Sequence, residues 1–246
     1  MIKQFLKLAV TEFKLTLREP LAVFFGFAFP VLFLFLTMEI FIPADAPKEI
    51  VVNYIVPPLM VLVIASTAIF GVPMTIVGYR EIKFFKRLRA TPLNPLVLLG
   101  SLGIANFIVT ILGILLLVLG GKLFYQARFD GNLLIFSSGF LLGFLSLISM
   151  GFIIVSVGRT VRRTIVTSNI IFLPTMFFSG VFVPLDMLPD WIANYISPFM
   201  PMTYAVKLLQ GLWLGEPLVD FAKEMIFLLG FLVLGLAISA KTFRWE

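Results

Sequence analysis

Tyr79-Arg80-Glu81-Ile82-Lys83-Phe84-Phe85-Lys86-Arg87-Leu88-Arg89-Ala90-Thr91-Pro92 sets five basic residues and a proline stop between two long apolar runs. The chemistry these residues offer is recognition. Guanidinium and ammonium groups hold lipid phosphates, each contributing on the order of 1 kcal/mol near an anionic surface. Phe84, Phe85 and Leu88 recur at helical spacing and form an apolar stripe rimmed by arginine, a composition favoured at interface hot spots. Lipid anchor and docking site for a soluble partner are equally good readings of the residues alone; the run is too short and too membrane-bound for nucleic acid. Bond-making chemistry is narrowly bounded elsewhere. The chain has no Cys and no His, which removes disulfides, thiolates, imidazole metal sites and imidazole acid–base work. Ser–Lys pairs remain, and no apolar run holds both residues well inside. Gly120-Gly121-Lys122 is followed by Leu123 and lacks the spacing of a phosphate-binding loop, so this chain is expected to be no ATPase or other enzyme.

The elements that position these residues are set by composition. The chain has 246 residues, 60% hydrophobic and 13% charged, with mean hydropathy +1.08. Soluble domains are roughly 45–50% apolar and about 25% charged, so the bilayer is the expected solvent. A helix crosses a bilayer with about 20 apolar residues. The sequence predicts an all-α integral membrane protein with six spans, near 21–42, 54–79, 96–119, 131–157, 165–183 and 219–240, in a single domain over 1–246. Lys3, Lys7, Lys14 and Arg18 precede the first span; Arg80, Lys83, Lys86, Arg87 and Arg89 follow the second; Arg159, Arg162 and Arg163 follow the fourth; Lys241 and Arg244 end the chain. The other side holds fewer cations and most of the acids. The positive-inside rule puts both termini in the cytoplasm, and this asymmetry accounts for the net charge of +6 without nucleic acid.

Residues 1–18 read as an amphipathic helix in the interface, with Ile2, Phe5, Leu6, Ala9, Phe13 and Leu17 in lipid and the lysines near anionic headgroups. The stretch 184–205 lies outside by the same topology, yet it is apolar and broken by Pro184, Pro189, Pro198 and Pro201. Pieces that short cannot cross, and a re-entrant helical hairpin is expected, with Trp191, Tyr195, Tyr204 and Trp213 at the membrane interface. Glu39, near the outer end of its span, reads as structural or interfacial, and one acid makes no relay. No metal site is expected.

Several stretches resemble, in order along the chain, the permease subunits of type-2 ABC exporters. Arg80-Glu81 and Arg87-Leu88-Arg89-Ala90-Thr91-Pro92-Leu93 match that family's first cytoplasmic coupling segment in register; Lys83 and Phe84 stand where Gly-Thr is usual. Leu17-Arg18-Glu19-Pro20 resembles the turn into the first span, and Asn53-Tyr54-Ile55-Val56-Pro57 the start of the second. Phe177-Phe178-Ser179-Gly180-Val181-Phe182-Val183-Pro184-Leu185, Leu188-Pro189-Asp190-Trp191 and Ser197-Pro198-Phe199-Met200-Pro201-Met202-Thr203-Tyr204 resemble the fifth span and the outer hairpin.

The resemblance implies a half-transporter in a bacterial plasma membrane. Two such permeases, a homodimer or a related heterodimer, would face each other. Each would dock on a soluble ATP-binding subunit, two copies in all, which carries the ATP and Mg; this chain would bind no cofactor. Segment 80–92 would couple to the ATPase through Arg80, Glu81, Phe84, Phe85, Lys86, Arg87, Leu88, Arg89 and Thr91, assisted by helix 1–18 and by Arg159, Arg162 and Arg163. The substrate path would follow the second and fifth spans, with Phe70, Met74, Thr175, Met176 and Phe178 as candidates. Without buried charge along that path, an amphipathic or apolar cargo, such as an antibiotic or a lipid-like molecule, is expected. Polysaccharide or lipid-linked glycan export is the alternative within the family; rings of Trp and Tyr would mark it, and the chain has three Trp and five Tyr. An ATP-independent secondary transporter or channel would need intramembrane acids or an inverted repeat, and neither is evident.

Overall fold

The computed structural model describes residues 2–18, 20–43, 45–88, 95–158 and 160–242, all helix and turn with no strand among them. Helix α1 (Ile2–Thr16) is followed by α2 (Phe24–Phe41), α3 (Lys48–Glu81), the short α4 (Phe84–Leu88), α5 (Pro95–Tyr125), α6 (Leu133–Val157), α7 (Val161–Phe178), α8 (Asp190–Tyr195), α9 (Pro201–Trp213) and α10 (Ala222–Thr242). Among the described residues, five stretches are long and apolar enough to cross a membrane: α2, α3, residues Val97–Tyr125 of α5, α6, and Leu218–Lys241, which takes in α10 up to Lys241.

Where the fifth span is expected the chain forms a helix, α7, which is not one of these five stretches. It begins at Val161 and ends at Phe178, some five residues short of the expected end. Gly180 takes φ +86° just beyond Ser179, the left-handed turn that glycine tolerates and that stops a helix. With Arg162, Arg163 and Asn169 inside its 18 residues, α7 is less apolar than its neighbours.

Helix α3 is the axis of the bundle. Its sequence is apolar on every side, the mark of a buried helix, and every residue from Val56 to Ile69 is buried. It packs against α2, α5, α6, α7 and α9, while α1 lies along α5 and α10 along α6. Two glycines bring backbones together. A Cβ on Gly113 of α5 would run into the Gly26 carbonyl of α2, and one on Gly151 of α6 into the Ala68 carbonyl of α3.

Proline sets the local geometry of these spans. A proline inside a helix has no N–H for the carbonyl four residues back, and its ring pushes that carbonyl away. Thus Pro73 frees the Ile69 carbonyl, and the helix widens to a π-turn over Thr67–Gly71. Ser168 of α7 fills the vacancy, its Oγ donating to Ile69 O at 2.6 Å. Pro58 frees the Tyr54 carbonyl, which accepts from Gln210 Nε2 of α9 at 3.2 Å. Pro30 frees the Gly26 carbonyl inside the π-turn Phe24–Ala28, against which Gly113 packs. In hydrocarbon such carbonyls are tolerated when neighbouring helices cover them.

The prolines at 184–201 instead start short helices. Pro189 precedes α8 and Pro201 opens α9, where a missing N–H costs nothing. Helix α9 has 13 residues, too few to cross, and lies buried against α3, α6 and α10. Trp191 and Tyr195, expected at the membrane interface, are 60% and 74% exposed. Tyr204 and Trp213 are not: both are buried. Tyr204 stacks on Phe227 at 3.8 Å, and Trp213 packs edge-on against Phe129 and Phe136. Glu39 takes the structural role read for it, bridging Lys48 Nζ at 2.9 Å and accepting from Tyr125 Oη at 2.9 Å. That joins the ends of α2, α3 and α5.

Candidate functional site

Three consecutive side chains at the end of α3 reach three different elements. Tyr79 Oη donates to both carboxylate oxygens of Glu12, at 2.7 and 2.8 Å, tying α3 to α1. Arg80 Nη1 donates to the carbonyls of Val155 and Gly158, at 3.1 and 3.2 Å, at the end of α6. Glu81 Oε1 accepts from the backbone N–H of Val161 at 2.9 Å, at the start of α7. Successive helical residues turn by roughly 100°, so adjacent side chains diverge toward separate neighbours. The signs fit the helix ends: a cation sits on the C-terminal carbonyls of α6 and an anion on the N-terminal amides of α7. Thr160 completes the turn, its Oγ1 accepting from Arg163 N at 3.3 Å.

Glu12 is 4% exposed. Burial pushes its carboxyl above the usual carboxylate range, and the Tyr79 hydrogen bond only partly offsets this. Its helix presents three faces. Ala9 and Glu12 turn inward toward the bundle, and Phe5 packs against Gly100. Leu6, Val10 and Leu17 are exposed on an apolar face, and Lys7, Lys14 and Arg18 are exposed on the basic one. The expectation of a single lipid-facing apolar face is therefore corrected at Phe5 and Ala9, which the protein itself uses.

Past Glu81, α3 ends in a sharp turn. Lys83 has φ +55°, and its N–H donates to the Arg80 carbonyl at 3.0 Å. This is the position where the resembling family carries glycine, and the left-handed backbone explains that choice. Lys83 keeps the turn at a steric cost; its side chain is exposed. Arg87 Nη2 reaches back to the Ile82 carbonyl at 2.7 Å and closes the corner.

The expected coupling residues fall into three groups. Arg80 and Glu81 are engaged inside the chain, where they hold the 158–161 turn. Phe85 is 3% exposed, and Phe84 is half-buried and stacked on Tyr79 at 4.7 Å. The open stripe of Phe84, Phe85 and Leu88 is thus corrected: the two phenylalanines point inward and fasten α4 to the end of α3. Of the expected residues Arg87 is exposed at this corner, together with Ile82 and Lys83, and Arg162 and Arg163 at the start of α7 are also exposed. The side chains of Lys86 and Leu88, and residues Arg89, Thr91 and Arg159, lie outside the described residues.

The residues expected along the substrate path differ in their surroundings. Thr175 and Met176 are 3% and 6% exposed; Thr175 Oγ1 donates to the Ile171 carbonyl at 2.6 Å. Both belong to the core and not to an open face. Phe70 is half-buried between Phe172 at 5.1 Å and Phe25 at 6.2 Å. Met74 and Phe178 are half-buried. The side of α7 that stands open carries Val166, Asn169, Ile170, Leu173 and Phe177. Sequence reasoning passed over Glu12, Tyr79 and Ser168, whose partners lie far away in the chain. It also passed over a legible signal: each interior proline announces a freed carbonyl four residues back.

A sequence model of the family "ABC-2 type transporter" matches residues 3–214. The chain is also 24% identical over 100 residues to "Nodulation protein J" of Rhizobium leguminosarum bv. trifolii. That stretch covers 41% of this chain and 38% of the relative, so the match spans well under half of that protein's length.

Proposed function

The chain belongs to the ABC-2 type transporter family, and from that premise we propose that it is the permease subunit of an ATP-driven exporter. In this reading it works as one half of a permease pair, each half docked on a soluble ATP-binding subunit. It sits in a bacterial plasma membrane with both termini in the cytoplasm, α7 as the remaining span and 184–205 as the outer hairpin. The cargo is amphipathic or apolar.

The observation that carries this reading is the Tyr79–Arg80–Glu81 junction. A corner that receives motion from a docked ATPase must pass it to the spans. Here one turn of α3 is bonded to α1, to the end of α6 and to the start of α7. A push on the exposed Lys83–Arg87 corner is delivered to three elements at once, as rigid-body coupling between two states requires. The ATPase would meet the exposed cations Lys83, Arg87, Arg162 and Arg163, while the buried aromatics keep the corner stiff.

Co-purification with the ATP-binding subunit tests this. Reversing Lys83 and Arg87 to Glu should abolish recovery of the ATPase while the permease still inserts. Purified alone, the chain should hydrolyse no ATP. Retention of the partner by the doubly reversed variant, or ATPase activity from this chain alone, would overturn the reading.

A further inference from the structure

The mid-span amides and hydroxyls of Asn106, Thr110, Ser146, Ser149 and Ser168 are all buried. Asn169 is exposed. It is the ninth of the 18 residues of α7, about 12 Å along the axis from Val161. Its neighbour Ser168 touches Ile69, which lies about 16 Å up α3 from Arg80. Both estimates place Asn169 near the middle of a hydrocarbon layer about 30 Å thick.

A second polar group stands beside it. Pro174 gives no N–H to the Ile170 carbonyl, and Ile170 is 67% exposed. The corresponding carbonyls of Ile69 and Tyr54 are taken by Ser168 and Gln210. Asn169 Nδ2 donates one hydrogen to the Ile165 carbonyl at 2.9 Å, which leaves its other N–H and its Oδ1 for whatever faces this surface. Lipid tails offer neither donor nor acceptor, so hydrocarbon is a poor cover for this spot. Around it lie Val166, Leu173 and Phe177, 54%, 47% and 47% exposed. Arg162, Val166, Asn169 and Leu173 follow at intervals of four, three and four, one stripe that runs up from the cationic end of α7.

We propose that Asn169 and the Ile170 carbonyl form a hydrogen-bonding subsite on a water-filled transport route, and that the cargo is an amphiphile carrying hydroxyl or amide groups. The inference rests on the exporter reading and names the part of α7 that reads the cargo. Asn169 supplies one donor and one acceptor, the Ile170 carbonyl a second acceptor, and the flanking side chains take the apolar part. A purely apolar cargo would leave these groups unpaired.

The cysteine-free chain makes the test direct. Asn169→Cys and Leu173→Cys, in membranes and in complex with the ATP-binding subunit, are labelled with a charged, membrane-impermeant methanethiosulfonate. Val233→Cys, on an exposed part of α10, is the control. The subsite predicts labelling at 169 and 173 at least tenfold faster than at 233. Rates equal to the control would assign the face to lipid, and a disulfide between copies at 169 with no labelling would assign it to a second copy; either overturns the proposal. n-Dodecyl maltoside below its micellar concentration is the cargo probe. It should slow labelling of Leu173→Cys at least threefold when Asn169 is present and lose that protection with Asn169→Leu. Absence of protection, or protection indifferent to Asn169→Leu, overturns the cargo class. Recovery of the ATP-binding subunit, followed in every variant, reports separately on the exporter reading.

Discussion

Helices α3 and α7 are both broken by prolines, and they treat the consequence in opposite ways. In α3 the carbonyls freed by Pro58 and Pro73 receive Gln210 and Ser168 from neighbouring helices, and the residues from Val56 to Ile69 are sealed in the core. In α7 the carbonyl freed by Pro174 belongs to Ile170, on an open face. One sequence device thus yields a buried, cross-linked beam in one helix and an exposed polar step in the other. In the proposed reading, polar satisfaction separates the helix that transmits force from the helix that meets the cargo.

The largest expected effect that sharpens this comparison comes from paired proline replacements. Pro174→Ala restores the N–H that the Ile170 carbonyl lacks four residues on and should raise stability by about 1–3 kcal/mol, seen in the thermal midpoint in detergent. Pro73→Ala should do much less, because the new N–H competes with Ser168 for Ile69; equal gains would erase the distinction. Next comes Ser168→Ala, which leaves the Ile69 carbonyl buried and unpaired. A loss of roughly 1–3 kcal/mol is expected, with a neutral result showing that the π-turn satisfies itself.

A smaller effect concerns Glu12. Its folded-state pKa is raised by burial, so the folded chain holds this proton more tightly than the unfolded one. The penalty of its buried charge is absent below the ordinary value near 4.5 and grows as pH rises through the raised folded value. The wild-type thermal midpoint should climb relative to Glu12→Gln, which keeps an acceptor for Tyr79, as pH falls through the raised folded value toward the ordinary one near 4.5. Parallel curves would show that the carboxylate is not desolvated. The smallest effect is that of Lys83→Gly. Relief of the left-handed backbone should outweigh the added freedom of the unfolded chain by no more than about 1 kcal/mol, and destabilisation would mean that the lysine side chain holds the corner.

Five of the six expected spans were legible in the sequence, because apolar length is a local property; α7, with two arginines and an asparagine, is not among them. The sequence displayed the coupling corner as a pattern and marked Lys83 as a departure, without the positive φ that explains it. Partners distant in the chain were not legible. Arg80 on Val155 and Gly158, Glu81 on Val161, and Glu12 on Tyr79 depend on which helix ends meet, and helical spacing within one segment carries no such information. Phe85 misled for the same reason: an aromatic beside arginines looks like an exposed anchor until its own bundle is seen to bury it. Thr175 and Met176 turn into the core, a placement the sequence does not show because packing, not position in the chain, fixes the rotation of a helix about its axis.

The central claim is that the turn at 79–83 and the turn at 158–162 move as one body when the ATPase acts. Spin labels on Lys83→Cys and Arg162→Cys, in the complex with the ATP-binding subunit, measure this by double electron–electron resonance without removal of any native cysteine from this chain. One narrow distance within each copy, unchanged between the nucleotide-free and ATP-bound states, is the predicted result. A distance that shifts or splits on ATP binding would show that the Arg80–Glu81 bonds do not couple the two turns, and would contradict the account.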